Sequence, residues 1–256
     1  MRVVLRVAGV GLVVGLLVGL TGVGGGSLLT PVLVLVGVPI PTAVGTDLVY
    51  NIGTKLTGTI QHFRQHAVDW RWACAIGAGG VPMAVIGSLV AGALRHDTVL
   101  LHHVLGAALV LAAVSTVVQE GVRLVRRRRA GAGVPPAARR PASPLMLVPL
   151  GAGIGFLVGL TSIGAGSLVA PALLLWSGLT ARRIVGTDVA TGLLLTAAAG
   201  LAHASVGTVD WHLVLNLLAG SIPGAWLGSR LTVRVPGRPL KTIVAGLVLL
   251  SGLRLF

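Results

Sequence analysis

Carboxylates are scarce in this chain of 256 residues, in which six Asp and Glu stand against twenty Lys and Arg. Asp47 and Asp188 lie 141 residues apart, each in a Gly-Thr-Asp triplet near the start of a long apolar segment. An unpaired carboxylate in such a segment is costly, so each residue needs a role. We predict either stabilisation of a helix start or direct handling of a substrate or proton.

Two glycine-rich breaks interrupt apolar runs at matching places in the two halves of the chain. The first is Gly24–Ser27 and the second is Gly164–Ser167. Small residues allow unusual torsions, and a helix that begins after the serine offers free backbone N–H groups to an anion. Close helix packing is the alternative use of such residues. We predict that substrate is bound by Gly24, Gly25, Gly26, Ser27, Thr46, Asn51, Gly164, Ala165, Gly166, Ser167 and Thr187.

Other polar residues in the apolar segments have weaker signals. Lys55 lies four residues after Asn51 on one helical face and is expected to snorkel to the interface, with attraction of an anion as the alternative. His62 and His203 are possible proton relays, although histidines at segment ends are usually solvated. No spacing indicates a metal site, and we expect no cofactor.

A second acidic pair follows the same repeat. Asp69 precedes Trp70, and Asp210 precedes Trp211, at equivalent segment boundaries. Because tryptophan concentrates at membrane interfaces, these pairs indicate interfacial anchoring.

The overall composition places these residues in a bilayer. Hydrophobic residues make up 54% of the chain and charged residues 10%, with a mean hydropathy of +0.94. The basic residues that give the net charge of +14 lie between apolar runs. Retention of cytoplasmic loops therefore explains this charge better than nucleic-acid binding does. Because the first apolar run recurs internally, we expect it to be a retained membrane segment rather than a cleaved signal peptide.

Each half contains five apolar segments, and the second of each is too short to cross a hydrocarbon core that requires about 20 residues. We therefore predict an all-α polytopic membrane protein with about eight long spans and two short half-helical or re-entrant segments. The division is residues 1–122, a flexible basic cytoplasmic linker at 123–144, and residues 145–256. Inverted repeats are favoured over parallel ones because they place more loop Arg and Lys on the linker side.

An intramembrane hydrolase is the enzymatic alternative, with Ser27 as nucleophile and His62 as base. Both residues recur in the second half as Ser167 and His203, which would require two active sites. We therefore expect a protein that is not an enzyme.

The chain resembles the TauE/SafE, or sulfite exporter, family of membrane permeases. The resemblance is carried by Gly19–Ser27 with Pro31, by Gly45–Asp47, and by their second-half counterparts. It implies a multi-pass permease of the bacterial inner membrane that moves small anions, with sulfite and organosulfonates as named substrates, by secondary transport. Ser162 and Ala165 replace two glycines of the first copy, so the two half-sites are expected to differ in flexibility.

The expected function is proton-coupled transport of sulfite, an organosulfonate, or a related sulfur or carboxylate compound. The expected partners are this anion and the lipid bilayer, without nucleic acid. A membrane structural or partner-binding protein and a passive anion channel are the alternatives. The choice of anion, the direction of transport, the coupling ion and the oligomeric state are left open by the sequence.

Overall fold

The computed structural model describes residues 9–17, 26–131, 143–231, 245–246 and 248–254. Within these ranges every regular element is helical. Gly24 and Gly25 of the first break lie outside them, and for Gly26 and Ser27 only the backbone is described. The helices are α1 (residues 9–17), α2 (Gly26–Leu35), α3 (Ile40–Arg64), α4 (Trp70–Ala93), α5 (Thr98–Gly131), α6 (Leu147–Thr161), α7 (Val169–Trp176), α8 (Ala181–Val206), α9 (Trp211–Leu231) and α10 (residues 248–253).

Four stretches of the described helices are long and apolar enough to cross a membrane. They are Trp70–Ala93, Thr98–Val122, Pro144–Thr161 and Ala181–Val206. The 10 residues of α2 and the 8 residues of α7 are too few to span a hydrocarbon core, as the segment lengths predict. The chain is therefore an all-α protein with apolar spanning helices and two short helices at equivalent places.

The long helix α5 reaches into the basic region between the halves. It continues to Gly131, so residues 123–131 of the predicted flexible linker are helical. Arginine and leucine are good helix formers, which explains why the helix continues beyond the apolar segment. Residues 132–142 lie outside the described residues.

The acidic pair beside the tryptophans starts two helices. Asp69 is the N-cap of α4 and accepts a hydrogen bond from the Arg71 N–H at 3.2 Å. Asp210 precedes α9, where its carboxylate accepts from the Leu213 N–H at 2.9 Å. Each carboxylate thereby satisfies a backbone donor that the first turn leaves without an intrahelical partner.

Helices from opposite halves pack tightly against each other at glycines. On α6, Gly155 lies against the backbone of Gly80 in α4, and Gly159 lies against Ala84. Residue numbers rise together along both helices, so α4 and α6 run parallel. The repeat-related contact joins α1 of the first half to α9 of the second, where Gly15 lies against the Ser221 backbone. The two halves therefore exchange helices rather than forming separate bundles.

At the centre, α3 crosses its counterpart α8. The Arg182 guanidinium, near the start of α8, donates to the backbone oxygen of Gln65, just beyond the end of α3, at 2.9 Å. A Cβ at Gly45, near the start of α3, would meet the backbone of Thr208, just beyond the end of α8, at 2.9 Å. These end-to-start contacts make α3 and α8 antiparallel, and their interface positions the candidate site.

Candidate functional site

Asp47 is the centre of a buried hydrogen-bond cluster. Its side chain is 0% exposed, and its Oδ2 accepts from the hydroxyls of Thr30 and Ser162, both at 2.6 Å. The Asn51 amide donates to Oδ1 at 2.7 Å. These donors come from α2, from the second break and from α3, so one carboxylate ties both halves together. The donors compensate a buried charge that would otherwise be prohibitively costly.

The alternative that Asp47 and Asp188 cap helix starts is wrong. Each is the eighth residue of its helix, since α3 begins at Ile40 and α8 begins at Ala181. Orphan backbone donors are confined to the first turn, so neither carboxylate caps the start of its own helix. Asp188 instead acts electrostatically on Lys55, as does Asp47.

In the structure the second break extends beyond Gly164–Ser167 to the whole loop of unusual backbone between α6 and α7, residues 162–168. Ser162 ends α6 in the left-handed region with φ of 63°, and its N–H bonds to the Val158 carbonyl at 2.7 Å. Gly164 and Gly166 have φ of 125° and 140°, which strongly favour glycine. The Gly164 carbonyl accepts from the N–H groups of Gly166 at 2.8 Å and Leu168 at 3.0 Å. Part of the backbone expected to face an anion is therefore satisfied within the loop.

Lys55 reaches this loop from the other half of the chain. Its side chain is 8% exposed, and Nζ donates to the Ala165 carbonyl at 2.8 Å. The expectation that Lys55 snorkels to the interface is wrong, because the contact of α3 with α8 encloses the side chain. A Cβ at Gly192 of α8 would lie 2.9 Å from Nζ, so this glycine provides the space through which the ammonium group reaches the break.

Two threonines predicted to contact substrate make reciprocal contacts between the halves. The Thr46 hydroxyl accepts from the Asp210 N–H at 3.2 Å, and the Thr187 hydroxyl accepts from the Asp69 N–H at 2.9 Å. Both threonines are 0% exposed. Each therefore joins its own helix to the start of a helix in the opposite half.

Asn51 and Ser167 retain unused polar atoms in the interior. Asn51 donates to the Asp47 side chain and to the Asp47 carbonyl at 2.9 Å, which leaves its Oδ1 buried and unpartnered among the described residues. The Ser167 Oγ is likewise buried without a partner there. The Ser167 carbonyl accepts from Ser115 of α5 at 2.8 Å, which fixes this end of the break.

The two candidate relay histidines have different surroundings. His203 is 0% exposed, and its ring nitrogens contact the Thr208 hydroxyl at 2.7 Å and the Gly159 carbonyl at 2.9 Å. It therefore fastens the end of α8 to α6, and the expectation of a solvated residue is wrong for it. His62 is half-buried, and its Nδ1 has no partner in the described part of the chain.

Sequence reasoning missed two members of the cluster. The internal repeat does not mark Thr30 as a polar position, because the equivalent residue in the other half is Ala170. Ser162 was noted only as a replacement for a glycine, although its hydroxyl bonds to Asp47. The distance between these residues along the chain conceals their contact.

A separate cavity of about 440 Å³ lies between α1, α2 and α10. Its walls are apolar side chains such as Val14, Leu28 and Val248. It contains no charged lining residue, so it differs in chemistry from the cluster around Asp47. Among the described residues, no group of three or more His, Cys, Asp and Glu could hold a metal ion.

Comparisons with known proteins place the chain in a family. The family described as Sulfite exporter TauE/SafE matches residues 7–255. The chain is 44% identical to the probable membrane transporter protein YjnA of Bacillus subtilis, with 96% of both chains covered. It is 26% identical to the probable membrane transporter protein YdhB of the same species, covering 92% of this chain and 96% of the relative. No solved structure matches the chain.

The match extends over nearly the whole chain and includes both breaks and the central pair α3 and α8. Because 96% of both chains is covered, the similarity to YjnA is not limited to one shared segment. The chain belongs to the sulfite exporter TauE/SafE family of membrane transporters.

Proposed function

We propose that this protein is a secondary permease for a small anion, such as sulfite, an organosulfonate or a related sulfur or carboxylate compound. The observation that carries the proposal is the attachment of the second break to α3 of the opposite half, through Asp47 with Ser162 and Lys55 with Ala165. Irregular backbone at membrane depth occurs where it is buried in protein or lines a pathway. Transporters place such broken helices at their binding sites.

Inverted repeats are the topology we propose. The equivalent helices α3 and α8 run antiparallel, which requires a two-fold axis perpendicular to them. Parallel packing of α4 with α6, and of α1 with α9, is consistent with the same axis. The four apolar stretches together with α3 and α9 are six long helices, and the segments that contain α1 and α10 would bring the number of spans to about eight. The topology then fits a bacterial inner membrane, with the arginine-rich linker in the cytoplasm.

Alternating access would then move bodies that each contain helices of both halves. Glycine contacts bring the backbones of α4 and α6 together so closely that these helices move as one unit. The equivalent unit is α1 with α9. The contacts that change during transport are those made by the breaks, including the bond between Ser162 and Asp47. Thr46 and Thr187 hold the crossing of α3 and α8 while these contacts rearrange.

The substrate occupies the region where the second break approaches α3 and α8. Backbone N–H groups of Gly24–Ser27, Gly164, Ala165 and Ser167 supply donors, whereas the Asn51 amide stays bonded to Asp47. An anion at the second break lies near Asp47 and Asp188, and like charges repel. Binding is favoured when one of these carboxylates takes up a proton, which couples proton movement to anion movement.

Transport into proteoliposomes tests the proposal. Purified protein should accumulate ³⁵S-sulfite against its gradient when a proton gradient is imposed. Asp47→Asn should abolish uphill accumulation, a loss of at least about tenfold, because the amide cannot exchange a proton at neutral pH. Asp97→Asn is the matched control, since the Asp97 carboxylate is exposed and accepts from the Leu100 N–H at 3.0 Å.

Each alternative gives a different result. Downhill flux that ignores the proton gradient would identify a passive channel. Folded protein without flux of sulfite, sulfonates or small carboxylates would favour the structural or partner-binding alternative. Uphill accumulation that survives in Asp47→Asn would refute the coupling role of this residue.

A further inference from the structure

Lys55 is the one buried lysine or arginine in the described part of the chain. Its hydrogen-bond partner there is the neutral carbonyl of Ala165, although an ammonium group has three N–H donors. The carboxylates of Asp188 and Asp47 act on it electrostatically, but Asp47 already accepts from three side chains. Burying a cation is costly, and an ammonium group with one hydrogen-bond partner among the described residues can donate to a further acceptor such as an anion.

The surrounding chain is adapted to this position of the ammonium group. Gly192 has no side chain, and a Cβ there would lie 2.9 Å from Nζ and 3.5 Å from the Ala165 oxygen. In the other half, the residue equivalent to Gly192 is Asn51, and the residue equivalent to Lys55 is Thr196. The second break therefore has a cation and the space for it, whereas the equivalent positions in the repeat are occupied by a threonine and an asparagine.

A further donor lies at the same break. Ser167 is 8% exposed, and its Oγ has no partner among the described residues. It is two residues from Ala165, so their Cα atoms are at most about 7 Å apart. Because Lys55 Nζ lies 2.8 Å from the Ala165 oxygen, the ammonium group and Ser167 belong to the same short stretch of the break, where one small oxyanion can contact both. The bond from Ser115 to the Ser167 carbonyl holds this part of the loop in place.

From these contacts we infer that the transported anion binds to the Lys55 ammonium group and the Ser167 hydroxyl at the second break, through N–H donors that the Lys55 bond to the Ala165 carbonyl does not use. The inference rests on the proposed permease function and adds the residue that selects for negative charge. It also makes the site asymmetric, with one anion held mainly by the second break. A lysine is a compact point charge, which suits small sulfur oxyanions without requiring a planar carboxylate.

Equilibrium binding of ³⁵S-sulfite to purified protein in nanodiscs tests this inference separately from transport. Lys55→Met should weaken binding about 10- to 100-fold, since it removes a charge-assisted contact in a buried site. Lys55→Arg should weaken it less. Unlabelled methanesulfonate should compete, whereas dimethyl sulfone, which is neutral and similarly shaped, should not.

Gly192→Ala is a second variant that retains the lysine. The new Cβ displaces the end of a flexible side chain rather than backbone, so the protein should fold while sulfite binding weakens about tenfold. Thr196→Val, at the equivalent of Lys55 in the other half, is the matched control and should bind like the unaltered protein. This comparison separates loss of the ammonium group from a general disturbance of α3 and α8.

The outcomes distinguish the two proposals. If the unaltered protein transports sulfite, but folded Lys55→Met and Gly192→Ala both bind it within twofold of normal, the Lys55 inference is wrong and the permease function stands. If the unaltered protein neither binds nor transports any of the tested anions, both proposals fail. Competition by dimethyl sulfone as strong as that by methanesulfonate would also overturn a role for Lys55 in charge selection.

Discussion

Replacement of Gly155 by alanine should push apart the two helices that join the halves of the chain. An alanine Cβ at this position of α6 would lie 2.6 Å from the Gly80 Cα and 2.7 Å from the Gly80 carbonyl carbon in α4. Ordinary contacts of a Cβ are 3.4–4 Å, so the helices must separate by about 1 Å. The obstacle is backbone, so no side-chain rotation relieves the overlap.

The expected cost follows from overpacking, which destabilises a core by about 1–3 kcal/mol. Gly153→Ala is the matched control on the same helix, because a Cβ at Gly153 meets nothing within 4 Å. Alanine is up to about 1 kcal/mol better than glycine in a helix, so this control should be neutral or stabilising. The same chemical change, two residues apart, should therefore have opposite effects.

Thermal unfolding in detergent, followed by loss of monodisperse protein on size-exclusion chromatography, measures the difference. Each kcal/mol corresponds to about 2–4 °C for a chain of this size, so Gly155→Ala should lower the apparent Tm by about 2–12 °C. Equal apparent Tm values for Gly155→Ala and Gly153→Ala would refute the close approach of α4 and α6. It would also remove the reason for treating these helices as one moving unit.

Substitutions at two further positions, each with a comparison variant, test the polar contacts between the halves by the same Tm measurement. Ser162→Ala should lower the free energy of unfolding by about 1.5–3 kcal/mol, since it removes a hydrogen bond to the Asp47 carboxylate. Ser162→Gly should lower it by about 1–2 kcal/mol less than Ser162→Ala does, because glycine adopts the left-handed φ of 63° without strain. Equal losses would show that backbone strain at this position is negligible. Thr187→Val should destabilise by about 1–3 kcal/mol by removing the acceptor of the Asp69 N–H, whereas Thr191→Val, which loses only a bond within α8, should cost less.

Much of the helical architecture was predictable from local sequence. Apolar segment lengths predicted the long helices and the two short ones, because a bilayer requires about 20 apolar residues per crossing. The repeat located both breaks, and the glycines of the second break do adopt torsions that favour glycine. The charge of residues 123–131 predicts a flexible linker, but α5 continues through them as a helix.

The polar cluster was predictable only in part. Asp47, Asn51 and Ser167 were candidates because polar groups in apolar segments are costly and need a reason. Their partners were not, since Ser162 contacts Asp47 across 115 residues and Lys55 contacts Ala165 across 110. Lys55 illustrates the difficulty. Its side chain is buried rather than directed to the membrane interface because α8 covers it, and a contact between distant helices is not visible in the local sequence.

The sequence by itself determined that this chain is a duplicated, membrane-embedded helical protein with a break in each half, because hydropathy, segment length and internal repetition are local properties. Only the tertiary structure decided that the halves exchange helices and that α3 and α8 cross antiparallel. The same crossing buries Lys55 against the second break and makes Asp47 a link between the halves rather than a helix cap. These features depend on which backbones approach closely, and that is set by packing between segments far apart in the chain.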